Sequence, residues 1–260
     1  MNTFLLIDLN NYFSRFYFSN PESCIERYLL LIKDSIKEFS PTWICNCIDA
    51  PISFRKVICE LYKSNREAKP PEYYSSLNLL KFNLQKFKYP IQTSKSLEAE
   101  DICSLFIENL KDEKQNENEI KFVVLSNDKD VLQLETVSNN KVRIFDYFNR
   151  KNDEGVKVKF VQKSIRNLEF ENIEQLTLYL SLRGDASDNI PGVNKCGDVG
   201  ARKIIAEFGS YENIMEILTT NFNFPSLKLV KNDLENFKMS YQLVQLRKDE
   251  WKVNLERYKL

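Results

Sequence analysis

The stretch TFLLID, residues 3–8, is a short apolar run that stops on an aspartate. Such a run, bounded by a polar residue, reads as a buried strand. The pattern returns along the chain. TWICNCI (42–48) stops before Asp49, and KFVVLS (121–126) stops just before Asp128 and Asp130. KVRIFDYF (141–148) reads as a further strand. Between the first two lies IERYLLLIKDSIKEF (25–39), with apolar residues at helical spacing and Pro41 to stop it. Strands separated by helices predict βαβ units and a mostly parallel sheet, an α/β fold. In such sheets the carboxyl ends of the strands form the ligand crevice. Here three strands deliver an aspartate to that edge.

Further along, SLEAEDICSLFIENL (96–110) predicts a helix with Ser96 as N-cap and Glu98, Glu100 and Asp101 in its first turn. The run KDEKQNENE (111–119) reads as a solvated loop or helix end. From residue 165 onward the chain is mainly helical: NIEQLTLYLSL (172–182), ARKIIAEF (201–208), YENIMEIL (211–218) and the tail from Pro225. This divides the chain into an α/β domain over 1–165 and a helical region over 166–260. No repeat or low-complexity block interrupts either.

Composition narrows the chemistry by exclusion. The 260 residues contain 37 acids, 37 bases and no histidine. Ser-His-Asp and Cys-His triads, His-built zinc sites and His general bases are therefore out. Charge is balanced overall but polarised locally. Arg55 to Lys95 holds nine Lys or Arg against three Glu, whereas Glu98 to Glu119 holds eight acids against two Lys. That contrast suggests a basic surface beside an acidic site. The six cysteines form no CxxC pair and several lie in apolar runs, as buried reduced thiols do. No secretory leader or run of membrane-span length is present, so a cytoplasmic protein is expected. A composition rich in Lys, Asn and Ile fits an AT-rich genome, that of a phage or low-GC bacterium.

Taken singly, first-turn acids complement a helix dipole and aspartates after strands are ordinary loop residues. The combination is different. Asp8, Asp49, Asp128 and Asp130 gather at one edge, with the start of the Glu98 helix beside them. Crowded carboxylates repel, and divalent cations are the usual remedy. Oxygen-only ligands favour Mg²⁺ or Mn²⁺ over zinc. Two such ions can stabilise the attacking and leaving oxygens of a phosphodiester displacement. Asp185 and Asp188, three apart in a turn, could complete a second site.

Five of the six glycines (Gly184, Gly192, Gly197, Gly200 and Gly209) lie between positions 184 and 209. The string NIPGVNKCGDVGARKII runs from such a turn into a helix bearing Arg202 and Lys203. Glycine-lined helix N-termini accept phosphates, the logic of a helix–hairpin–helix that grips a nucleic-acid backbone. A tight interhelical turn that binds nothing is the competing reading. The segment from Phe54 to Pro90 interleaves bases with aromatics, as single-strand channels do, though an amphipathic helix pair would look the same. Lys63 and Arg66, three apart on one predicted helix face, stand out there.

Together LLIDLNNYFSRF, CIDAPISFRKVICELYKSNRE, EAED, LSNDKDVLQL and LRGDASDNIPGV…CGDVGARKII resemble the flap endonuclease family of structure-specific 5′-nucleases. The likeness is to the compact bacteriophage 5′-3′ exonucleases and the nuclease domains of bacterial DNA polymerases, and it runs from Phe4 to Leu218. It implies a PIN-like sheet, a helical arch over about 54–95 and a helix–three-turn–helix over about 185–218. By this resemblance Asp8, Asp49, Glu98 and Glu100 hold a first metal ion. Asp101, Asp128, Asp130, Asp185 and Asp188 hold or surround a second. The ions are Mg²⁺, with Mn²⁺ as substitute. Lys63 and Arg66 orient the scissile phosphate, Tyr62 stacks on a base, and Arg15 falls at a position often basic. Gly192, Gly197, Gly200, Arg202 and Lys203 grip duplex DNA, with K⁺ at the hairpin carbonyls. The implied partner of this monomer is DNA with a 5′ flap, overhang or nick, or an RNA–DNA hybrid. The implied products are a 5′-phosphate and a 3′-hydroxyl. Leu9 stands where the family often has Gly, and Glu100 where many members have Asp. Two other readings are a catalytically silent binder of branched DNA, which would have lost carboxylates, and a PIN-type or RNase H-like ribonuclease, which needs neither arch nor hairpin.

Overall fold

The computed structural model of the chain describes residues 2–115, 118–138, 141–149, 174–220, 224–249 and 251–260. In chain order the elements begin with β1 (Thr3–Asp8), α1 (Leu9–Ser19), α2 (Cys24–Phe39), β2 (Trp43–Cys47), α3 (Phe54–Ile58) and α4 (Pro71–Lys86). Then come β3 (Ile91–Gln92), α5 (Ala99–Leu110), β4 (Lys114–Gln115), β5 (Asn118–Glu119), β6 (Lys121–Leu125) and β7 (Val142–Phe145). The helices α6 (Glu174–Arg183), α7 (Asp198–Phe208), α8 (Tyr211–Thr219), α9 (Lys228–Asn232) and α10 (Leu234–Val244) follow. These described elements form two compact units that are not contiguous in sequence. One takes the chain up to Ser53, the sheet region from Ala68, and Leu246–Leu260; the other takes Phe54–Glu67 and the helices up to Gln245. The expected boundary at 165/166 lies outside the described residues.

The first unit is built on a parallel sheet in the order β3-β2-β1-β6-β7. β1 is its central strand, with Phe4 opposite Trp43 on one side and Phe122 on the other. All six residues of β1 are buried, which accounts for the unbroken apolar run. From β1 the chain builds outward to β3, then crosses back to place β6 on the other side of β1. The order reverses beside β1, and such a switch point opens a crevice at the carboxyl ends. Leu5 and Ile7 join a core with Tyr12 and Phe13 of α1, Leu31 of α2 and Leu80 of α4. Phe4 instead meets Phe106 of α5 and Tyr258 of the C-terminal tail, at ring distances of 5.0 and 5.8 Å.

That tail carries no readable motif, yet it is a strap. Trp251 packs on Phe106 at 4.8 Å, Lys259 bridges to Trp43, and the Tyr258 hydroxyl donates to Gln92 Oε1 at 2.7 Å. Two local expectations change. Glu98, not Ser96, caps α5: its side chain and that of Asp101 form a reciprocal capping box, while Ser94 Oγ takes the Ser96 and Leu97 amides. The polar 111–119 run contains the small antiparallel β4–β5 ribbon.

In the second unit α6 packs on α7 and α10. Arg55 of α3 is its unusual residue. The side chain is 2% exposed and donates to the carbonyls of Leu243 (2.7 Å) and Gln245 (3.2 Å), at the C-terminus of α10. A buried guanidinium is costly unless matched, and a helix C-terminus supplies partial negative charge and open carbonyls. Among the described residues no helix is long and apolar enough to cross a membrane.

Candidate active site

β1 ends at Asp8, which also caps α1. Its Oδ1 accepts from the Asn11 amide at 3.1 Å and its Oδ2 from the Ser126 hydroxyl at 2.9 Å. Ser126, just past β6, in turn accepts from the Asp128 amide at 3.1 Å, and Asp128 Oδ1 accepts from the Asp130 amide at 3.0 Å. One hydrogen-bonded chain thus ties the acids of two adjacent strand ends. Asp49, past β2, receives the Ala99 amide of α5 at 2.9 Å, while its own amide donates to Asn10. Hence the start of α5, with Glu98 and Glu100 both buried, is fastened to the same edge.

Burial pushes the Asp8 carboxyl up to about 7, and the nearby charges of Asp49 and Asp128 add to the rise. A carboxylate crowded by two others is a strong receiver of cations. The donors are all oxygens of hard character, which fits Mg²⁺ or Mn²⁺. Among the described residues no three Asp, Glu, Cys or His side chains already stand in the arrangement of a metal centre. Asp8 turns toward Ser126 and Asn11, and Asp49 toward Ala99. Asp101 differs from the rest. Its oxygens accept the Glu98 amide (3.2 Å) and the Arg247 amide (3.2 Å), so it serves the cap of α5 and the strap.

An acid that sequence reading passed over lies at the same edge. Asp146 follows β7, is buried, accepts from the Phe148 amide and pairs with Arg15 at 3.7 Å. It was hidden because KVRIFDYF reads as one strand through Phe148, whereas β7 stops at Phe145. Arg15 is also laid over the Phe148 ring at 4.6 Å.

The helical unit carries the second acidic group. Gly184 to Pro191 forms a tight turn in which Asp185 and Ile190 exchange backbone hydrogen bonds at 2.9 Å. Asp185 Oδ1 accepts from the Ser187 amide and hydroxyl. Asp188, 4% exposed, is the focus of the 59–66 segment. Arg66 donates to its Oδ1, Lys63 Nζ lies 3.8 Å from its Oδ2, and the Tyr62 hydroxyl donates to Oδ2 at 3.4 Å. Asn65 and Asn189 add bonds between the two turns. Lys63 and Arg66 do converge, but from a turn and not a helix face: Lys63 has φ +55° and its amide donates to the Asp188 carbonyl. Tyr62 is 2% exposed, and its hydroxyl is the part that meets Asp188.

The glycines divide into two kinds. Gly184 (φ +81°) and Gly192 (φ +68°) press backbone to backbone, and a Cβ on Gly192 would lie 2.3 Å from the Gly184 nitrogen. Gly192 thus has a packing reason to be glycine. A Cβ on Gly197 would meet nothing within 4 Å, and one on Gly200 only Cys196 Sγ at 3.5 Å. These two flank Val199, 81% exposed, at the open N-terminus of α7. Arg202 pairs there with Asp198 at 3.1 Å, Tyr179 also donates to Asp198, and Lys203 is exposed.

Residues 3–166 match the N-terminal resolvase-like domain of 5′-3′ exonucleases, and residues 172–260 match their C-terminal SAM fold. The chain belongs to the 5′-3′ exonuclease family. Among its relatives in that family, the 5′-3′ exonuclease of Aquifex aeolicus is 30% identical over 260 residues, covering 96% of this chain and 83% of that protein. DNA polymerase I of Borreliella burgdorferi is 30% identical over 217 residues, 82% of this chain. The chain spans only 22% of that polymerase's length. The exonuclease fold also recurs in solved structures of phage T5 5′-exonuclease. With divalent metal ions (zinc) bound, that protein gives a TM-score of 0.73 at 20% identity over 94% of this chain and 89% of its own. The T5 flap endonuclease in a pseudo-enzyme–product complex with DNA and metal ions gives 0.72 at 21% identity, over the same shares of both chains.

Proposed function

We propose that this chain is a divalent-metal-dependent, structure-specific 5′-nuclease that hydrolyses phosphodiesters in DNA with a 5′ flap, 5′ overhang or nick. The observation that carries this reading is the carboxylate edge at the switch point of the sheet, with Asp8 crowded by Asp49 and Asp128. Asp8, Asp49, Glu98 and Glu100 would hold one ion. Asp128 and Asp130 would serve a second, to which the family resemblance also assigns Asp185 and Asp188. Bound there, Mg²⁺ or Mn²⁺ would acidify the attacking water and neutralise charge on the departing oxygen. The chain's own residues do the rest. Ser126 and the amides of Asn11 and Ala99 fix the carboxylates in place. Lys63 and Arg66 bring positive charge for a phosphate, and both already rest on Asp188. The open N-terminus of α7, with Gly197, Gly200 and Lys203, suits a duplex phosphate, and hairpin carbonyls suit K⁺. Activity as a monomer and on RNA–DNA hybrids belongs to the same reading.

A panel of labelled substrates tests it. In Mg²⁺, cutting should favour the 5′-flap duplex over blunt duplex and leave 5′-phosphate ends. Equal cutting of blunt duplex, or products with 3′-phosphate ends, would refute it.

A further inference from the structure

Away from the carboxylates, the sheet unit has an open margin at β3. This strand ends the sheet and pairs with β2 on one side. Pro90 and Gln92 turn their carbonyls toward β2, where they accept the Asn46 and Ile48 amides at 2.9 Å. Backbone groups alternate along a strand, so the amides of Ile91 and Thr93 point the other way. Among the described residues neither amide has an acceptor. An unpaired strand edge is a template for another chain.

Beside this margin lies a cavity of about 320 Å³, wholly within the sheet unit. Its lining is apolar at Leu97, Ile102, Leu105 and Trp251 and polar at Gln92 and Thr93, so it begins at β3 itself. The volume is at the small end for ligand pockets and suits one large side chain. Side chains of an added strand alternate between faces. One residue would therefore enter the cavity, and those two positions away would flank it on the same face.

The charges beside the cavity are basic. Lys95 and Lys252, chain neighbours of Ser94 and Trp251 in the lining, are exposed and have no ion pair among the described residues. The described acids next along the chain are engaged elsewhere: Glu98 and Asp101 form the cap of α5, and Asp249 pairs with Arg247 at 2.7 Å. We propose that β3 and this cavity dock an extended segment of a partner protein, which adds a strand to the sheet and seats one large apolar side chain between acidic ones. The docking site uses none of the residues proposed to bind metal or DNA, so it stands apart from the nuclease reading.

The test is an NMR titration of the isotope-labelled full chain with the acetylated peptide Asp-Val-Phe-Val-Asp. The Trp251 indole and the Ile91 and Thr93 amides should shift together and saturate, and solvent exchange of both amides should slow. Replacing the peptide's phenylalanine by serine should weaken binding by at least about tenfold, the loss of one buried aromatic. Lys95→Gln combined with Lys252→Gln should weaken it by about fivefold, as for exposed ion pairs. N-methylation of the peptide at phenylalanine, or at both valines, should abolish binding in one case and not the other, because alternate amides of an added strand face β3. No saturable shift at millimolar peptide would overturn the proposal. So would binding indifferent to both methylations, with the Ile91 and Thr93 amides unmoved, since the cavity would then take a loose apolar group and not a strand.

Discussion

Asp8 sits where burial and two neighbouring carboxylates all work against its charge. Replacing it with Asn keeps the shape and the Asn11 and Ser126 contacts while removing that repulsion. Asp8→Asn should therefore raise the melting temperature of the metal-free protein at pH 8, by about 5 °C for a gain on the order of 2 kcal/mol, and abolish cleavage. Differential scanning calorimetry in EDTA and a flap assay in Mg²⁺ check the two halves. A second prediction concerns Arg66, which grips Asp188 beside Lys63. Arg66→Ala should cost roughly 10²-fold in kcat, the usual loss when one charge-stabilising donor is removed, with little change in melting temperature because the side chain is half exposed. Single-turnover kinetics would show it. At this scale the sequence was a good guide to which residues are acidic and basic at the site, because a strand's end can be read from its apolar run. It was a poor guide to partners. The capping duty of Asp101, the burial of Tyr62 and the place of Asp146 depend on where elements stop and what they meet, which no local pattern encodes.

Elements show the same division. β1, β2 and β6 were legible as apolar runs, and α2, α7 and α8 as periodic ones, within a few residues of their observed ends. The 59–66 turn was not, because its left-handed Lys63 is stabilised by bonds to residues more than 120 positions away. The glycines give a contrast that tests this view of the helical unit. Gly192→Ala places a Cβ against backbone at positive φ and should destabilise that unit by about 3 kcal/mol or more, with strained φ and overpacking acting together. Gly197→Ala meets open space at φ −75° and should be neutral or stabilising by about 0.5 kcal/mol. Urea unfolding of the two variants distinguishes them, and equal losses would contradict the account.

For the whole molecule, the C-terminal strap is the feature that sequence patterns left hardest to weigh, while the carboxylate edge was legible from where the strands stop. The strap covers Phe4 and Phe106 through Tyr258 and Trp251, so truncation after Gln245 should bare an aromatic core and lower the melting temperature by about 8 °C, for about 3 kcal/mol of lost aromatic burial. The edge matters more, because the proposed chemistry stands on it. The measurement that tests it most directly is cleavage of a 5′-labelled flap duplex in Mg²⁺, in EDTA, and by the Asp128→Asn variant in Mg²⁺. Cutting near the junction by the wild-type chain, lost in both other arms, is the predicted result. Cutting that survives EDTA, or survives the loss of Asp128, would contradict the claim that this edge is a metal-dependent active site.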